Sequence, residues 1–154
     1  MDKFDSIDAA LDFAIEQEIG ANMFYLDLAK KSGIAAMKEV FESFAKEEQG
    51  HRAKLEALKS KTAFSSSSAE NEQVQELGIA DYVVDVEPTA DMDYKDALVL
   101  AMKKEKAAYR LYLDLASIAQ SEELTNMFMW LAQEEAKHKL RFEIEYDDVV
   151  LRED

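Results

Sequence analysis

Residues 44–51 read FAKEEQGH and residues 131–138 read LAQEEAKH, and together they contain both histidines of the chain. Each histidine follows a glutamate by three residues, so on a helix Glu48 and His51, and likewise Glu135 and His138, share one face. A carboxylate and an imidazole so placed can offer oxygen and nitrogen to one metal ion, or can form a hydrogen-bonded pair inside a core. At helical spacing Glu48 has Phe41, Phe44, Ala45 and Leu55 as neighbours, and Glu135 has Phe128, Leu131, Ala132 and Phe142. Both pairs therefore fall on stripes that must be buried. Glu47, beside Val40, Ser43 and Lys54, reads instead as an exterior or boundary charge.

The two segments belong to an internal repeat. Sliding the chain on itself by 87 residues lays AIEQEIGANMFYLDLA, residues 14–29, over AMKKEKAAYRLYLDLA, residues 101–116, with eight identities in sixteen positions. The same shift puts Glu18 on Glu105, Tyr25 on Tyr112, Glu48 on Glu135 and His51 on His138. Glu18 lies among Leu11, Ala14, Ile15, Ala21 and Tyr25, and Glu105 among Leu98, Ala101, Met102, Ala108 and Tyr112, again on apolar stripes. Glu16 falls on Lys103 and reads as exterior. With turns near Gly33 and Gln120, all four glutamates stand fifteen residues from a turn, so each antiparallel pair brings two carboxylates to one level. Four carboxylates and two imidazoles are thus expected to converge halfway along a helical bundle.

Burying like charges together costs several kcal/mol for each unpaired carboxylate. No lysine or arginine lies on those stripes at that depth, which leaves neutral carboxylic acids or cations from solution. Two divalent ions would cancel four carboxylates. The mixed oxygen and nitrogen donors suit iron or manganese better than calcium, which takes oxygen ligands throughout. Tyr25 and Tyr112 lie on the same stripes; packing, or a hydroxyl bonded to a glutamate of the cluster, are both open to them.

The elements that must position this cluster are long helices. One proline, four glycines and apolar residues at three- and four-residue spacing predict four of them: from about residue 5 to 31 with Gly33 as C-terminal cap, then to about 60, from about 92 to 120, and from Ser121 to about 146. Residues 61–91, with the run SSSS, Pro88 and the short apolar piece 82–86, read as a long crossover, its serine run a mobile loop. Two hairpins, 5–60 and 92–146, joined by a crossover that can span the bundle, make an all-α four-helix topology found among ferritin-like folds. At 154 residues the chain is expected to be one domain.

Composition narrows the function classes. The chain has no cysteine, which excludes disulfides, zinc-thiolate and iron–sulfur sites and thiol nucleophiles. Its 33 acidic against 18 basic residues give a net charge of −15, unsuited to nucleic acid or anionic membranes as partners. The first residues, MDKFDSIDAALDF, carry no secretory signal, and no apolar run is long enough to span a bilayer, so a soluble cytoplasmic protein is expected.

In the Glu-x-x-His of each second helix and the single glutamate of each first helix, the chain resembles the rubrerythrin-like members of the ferritin-like diiron proteins, over about residues 5–60 and 92–146. The resemblance implies that Glu18, Glu48, His51, Glu105, Glu135 and His138 ligate two iron ions, with Glu48 and Glu135 bridging. It also implies reduction of hydrogen peroxide through a diferrous to diferric cycle, while relatives oxidise ferrous iron for storage. The expected assembly is a homo-oligomer, a dimer. Two departures stand out. The four-cysteine rubredoxin-like domain that often delivers electrons has no counterpart here, so an external donor such as a rubredoxin-like protein is expected. Where such proteins often carry a further ligand glutamate on the third helix, this chain has Ala108, which keeps ferroxidase or dioxygen chemistry open.

Overall fold

The computed structural model describes residues 3–65, 68–84, 86, 89 and 92–153. Its long helices are α1 (Ile7–Lys31), α2 (Ala35–Ser65), α4 (Tyr94–Ile118) and α5 (Glu122–Glu153), with a short α3 (Ser68–Val74) and one 3-10 turn (Ile79–Tyr82) between the two pairs. The repeat holds at the helix ends. Shifted by 87, α1 superposes on α4 end for end, and α2 begins where α5 begins. The N-caps match as well: the Ser6 hydroxyl accepts from the Ala9 N–H at 3.1 Å, and the Asp93 carboxylate accepts from the Asp96 N–H at 2.8 Å. Ser121 caps α5, its hydroxyl accepting from the Leu124 N–H at 3.1 Å.

α1 packs antiparallel on α2, and α4 on α5. Across the bundle, Tyr25 meets Glu105 and Tyr112 meets Glu18, so α1 and α4 are also antiparallel. α2 and α5 run oppositely too, as the contacts Phe44–Phe142 and Lys61–Glu123 require. The result is the expected all-α ferritin-like bundle. α2 ends at the opposite end from the start of α4, and the crossover travels the length of the bundle.

The core falls into two apolar clusters that the repeat exchanges. One contains Leu11, Ala14, Leu55, Leu111, Leu115, Phe128 and Ala132. The other contains their counterparts Leu98, Ala101, Phe142, Phe24, Leu28, Phe41 and Ala45. The polar cluster lies between them, walled off from water at both ends.

The structure departs from the sequence reading at the element ends. Gly33 is not a left-handed cap: no described residue has positive φ, and α1 closes at Ser32 in an extended conformation with its N–H bonded to the Leu28 carbonyl. α2 runs past residue 60 to Ser65. α5 runs past residue 146 to Glu153, because Val149 is buried and Glu145, also buried, accepts from the Tyr94 hydroxyl at 2.7 Å. The crossover is partly helical: Ser65 belongs to α2 and Ser68 to α3, with residues 66 and 67 of the serine run, and Pro88, outside the described residues. α3 is held by tertiary bonds at one end of the bundle. The Asn71 side chain accepts from the Ile7 N–H at 3.0 Å, and the buried Glu70 accepts from the Gln120 N–H at 2.7 Å. Among the described residues no helix is long and apolar enough to cross a membrane.

Candidate metal centre

Each long helix carries its polar residue on the face that the apolar stripe turns inward. Glu18 on α1, Glu48 and His51 on α2, Glu105 on α4, and Glu135 and His138 on α5 are all at most 2% exposed. The structure brings all six together. His51 Nδ1 lies 3.1 Å from Glu48 Oε1, 3.1 Å from Glu135 Oε1 and 3.6 Å from Glu18 Oε2. His138 Nδ1 lies 3.3 Å from Glu48 Oε1, 3.6 Å from Glu105 Oε1 and 3.9 Å from Glu135 Oε1. Both imidazoles thus point the same ring nitrogen at the carboxylates.

These close approaches do not have hydrogen-bond geometry. Glu18 Oε2, both oxygens of Glu48, Glu105 Oε2, Glu135 Oε1 and both histidine Nδ1 atoms are buried without a hydrogen-bond partner. A folded protein rarely leaves one such atom unsatisfied, and here seven face a common volume. Their donor atoms form two overlapping groups, Glu18, Glu48, His51 and Glu135, and Glu48, Glu105, Glu135 and His138, each with its atoms within 4.8 Å of one another. Glu48 and Glu135 belong to both. Carboxylate oxygens and imidazole nitrogens gathered without bonding each other can serve as the donor set of a divalent transition metal.

The electrostatics carry the same message. Burial, then the charge of Glu18, pushes Glu48 up to about 8. Glu105 and Glu135 are raised well above the usual carboxylate range by burial and then by other carboxylates, Glu135 acting on the first, Glu18 and Glu48 on the second. Burial alone would lower His51, yet the surrounding Glu135, Glu18 and Glu48 hold it up at about 12. His138 is raised in the same sense, against burial, chiefly by Glu105 and Glu47. Metal-free, the cluster holds protons; cations can replace them.

Other contacts orient the carboxylates. The Tyr112 hydroxyl donates to Glu18 Oε1 at 2.6 Å, and the Tyr25 hydroxyl donates to Glu105 Oε1. Each tyrosine reaches across to the opposite hairpin. Glu47 is exposed, as its exterior neighbours on α2 predict, and it makes one contact that those neighbours do not show: its Oε2 lies 3.3 Å from His138 Nε2 and holds that ring from behind. Spacing along α2 could not reveal it, since the partner is on α5. Its counterpart Glu134 bonds Lys137 instead, at 2.7 Å. A cavity of about 150 Å³ between α1 and α4 reaches Glu18, Glu48, Glu105 and Glu135. The small residues Gly20, Ala21, Ala107 and Ala108 leave that space, and Tyr82 of the crossover borders it.

Comparison with known proteins adds a name to this arrangement. The family described as Rubrerythrin matches residues 9–146. No curated protein matches the chain. Among solved structures, a hypothetical protein from Pyrococcus furiosus is similar, with 31% identity and a TM-score of 0.71 over 92% of this chain and 89% of the other.

Proposed function

Because the chain belongs to the rubrerythrin family of ferritin-like diiron proteins, and so to a family that binds iron, we propose that Glu18, Glu48, His51, Glu105, Glu135 and His138 hold two iron ions in a single domain whose activity is the reduction of hydrogen peroxide. Manganese is the other metal that suits the donor set. The observation that carries this reading is the sharing of Glu48 and Glu135 between two four-residue donor groups, which would offer each ion three carboxylates and one imidazole. When bound, the metal pair supplies Lewis acidity and two electrons for cleavage of an O–O bond, cycling between the diferrous and diferric states.

The chain's own residues supply the setting. His51 and His138 present neutral Nδ1 atoms once a metal replaces their protons, and Glu47 accepts from Nε2 of His138, favouring the tautomer that leaves Nδ1 free to ligate. Tyr112 and Tyr25 tie one oxygen each of Glu18 and Glu105, leaving the other oxygen to the metal. Burial and the charge of Glu18 hold the Tyr112 phenol well above its ordinary value, so it stays protonated and remains a donor. The two apolar clusters exclude bulk water, and the cavity between α1 and α4 admits an oxidant of a few atoms.

Reducing equivalents come from an external donor such as a rubredoxin-like protein, since the chain has no cysteine to hold an iron–sulfur centre. Assembly as a homodimer is supported by the exposed apolar side chains Leu140, Ile144 and Leu151 on α5. A second reading, ferroxidase or iron handling with dioxygen, is favoured by Ala108, which stands where a further ligand glutamate is common and lines the cavity instead. Anaerobic loading with ferrous iron, followed by separate mixing with peroxide and with dioxygen, separates the two. Faster oxidation by peroxide is expected; dioxygen reacting as fast or faster establishes the ferroxidase reading.

A further inference from the structure

We propose that Trp130 is the port through which electrons from a one-electron donor reach the metal pair. The proposal rests on the diiron reading above and adds to it the path that the electrons take. Trp130 is the chain's only tryptophan. Its ring meets that of His51 edge-on, with centroids 5.4 Å apart and planes at 82°. His51 is buried and turns Nδ1 to the carboxylates, whereas Trp130 is 39% exposed. One side chain thus touches both a ligand of the centre and solvent.

Electron tunnelling weakens steeply with the gap between donor and acceptor, so a buried centre is reduced fastest where a conjugated group bridges its protein shell. On the other side of the site the ring contacts of His138, besides His51, are Tyr25, fully buried, and Phe44, half-buried and stacked on it at 4.0 Å. Neither phenylalanine nor a buried tyrosine offers a donor the same exposed ring. The repeat supplies an internal control: the 87-residue shift places Trp130 on Ser43, so the bundle does not require an aromatic ring at this position.

The surroundings of the ring bear on whether it is itself oxidised. The Lys54 ammonium stands 5.0 Å from its centroid. A positive charge there disfavours a radical cation on the indole and attracts an anionic donor. Trp130 therefore couples an external donor to the centre without itself holding a hole. Two equivalents of donor each lose one electron, the ferric pair gains two, and Trp130 ends unchanged with no bond made or broken in the protein.

The test uses the full chain loaded with iron, with bound iron measured in every variant. On anaerobic mixing with dithionite, Trp130→Leu should lose its ferric absorbance several-fold more slowly than the wild type, and Trp130→Phe should recover part of the rate. Lys54→Gln should slow reduction by dithionite but not by reduced methyl viologen, a cation. A readout independent of turnover is the fluorescence of the single tryptophan in metal-free protein. Cobalt(II) should quench it until the site is filled, while zinc(II) binds without quenching. Reduction of Trp130→Leu at the wild-type rate with its iron bound overturns the proposal and leaves the diiron reading standing, as does cobalt binding without quenching. Wild-type protein that binds no iron overturns both.

Discussion

The two hairpins agree where they face each other and differ where they face solvent. On the inner faces Glu18, Tyr25, Glu48 and His51 repeat as Glu105, Tyr112, Glu135 and His138, and each tyrosine hydroxyl donates to the first-helix glutamate of the opposite hairpin. Behind the two histidines the symmetry stops. His138 is held by Glu47 and stacked on Phe44, whereas His51 meets Trp130, and Glu134 is occupied with Lys137, where the first hairpin has Gly50. Inner positions must all supply donors to one small volume, so any change there leaves a buried charge unbalanced. Outer positions face water and are free to diverge. The difference teaches that the two donor groups are alike in their ligand atoms but unlike in their surroundings, one backed by a carboxylate and the other by an indole.

Removing a shared ligand breaks the comparison most severely. Glu48→Ala or Glu135→Ala strips a donor from both groups, so these variants should lose most of the bound iron, while Glu18→Ala or Glu105→Ala should retain about half on the order-of-magnitude view that each serves one ion. Iron per chain by elemental analysis checks this. Equal losses across all four variants would show that Glu48 and Glu135 are not shared.

Removing the metal should expose the common charge problem of both halves. Glu48, Glu105 and Glu135 are raised in the folded protein, as are His51 and His138, so the native state binds protons more tightly than the unfolded chain. For such groups, stability is fully present below the unfolded value and lost as pH rises through the folded one. The window therefore opens near 4.5, the ordinary carboxylate value, and for Glu48 runs to about 8. Metal-free protein should melt at lower temperature at pH 8 than at pH 5, and iron should restore the difference increasingly toward pH 8, where the ligands release their protons. Equal midpoints at both pH values, unmoved by iron, would contradict the buried cluster.

A smaller effect sharpens the outer asymmetry. Glu47→Ala should weaken one of the two metal sites by about 10- to 100-fold, the range for losing a carboxylate behind a ligating histidine, while Glu134→Ala leaves both nearly unchanged. Stepwise metal titration reads the two affinities separately. Smallest and symmetric are Tyr25→Phe and Tyr112→Phe, each removing one hydroxyl bond to a buried carboxylate and costing about 1–3 kcal/mol of stability. Unequal costs in denaturant unfolding would show that the inner faces are less alike than they look.

What the sequence disclosed and what it hid divide along the same line. The bundle and its polar cluster were legible because they depend on periodicity within one helix and on one shift between two hairpins, both of which survive in a linear string. Glu47 is exterior, as its neighbours on α2 indicate, but its contact with His138 was hidden because only α5 lying alongside supplies that partner. Trp130 stands one residue before Leu131 of the second motif and off the apolar stripe, so nothing in the string tied it to His51. α3 is too short to show a period; its bonds to Ile7 and Gln120 come from distant parts of the chain. Gly33 invited a left-handed cap that Ser32, leaving the helix in extended backbone, makes unnecessary.

Anomalous diffraction at the iron edge from a crystal of the ferrous-loaded protein tests the shared-ligand centre most directly. Two iron peaks per chain are expected, one beside Glu18 and His51, the other beside Glu105 and His138, and both in contact with Glu48 and Glu135. A single peak, or iron bound away from these six side chains, would contradict it.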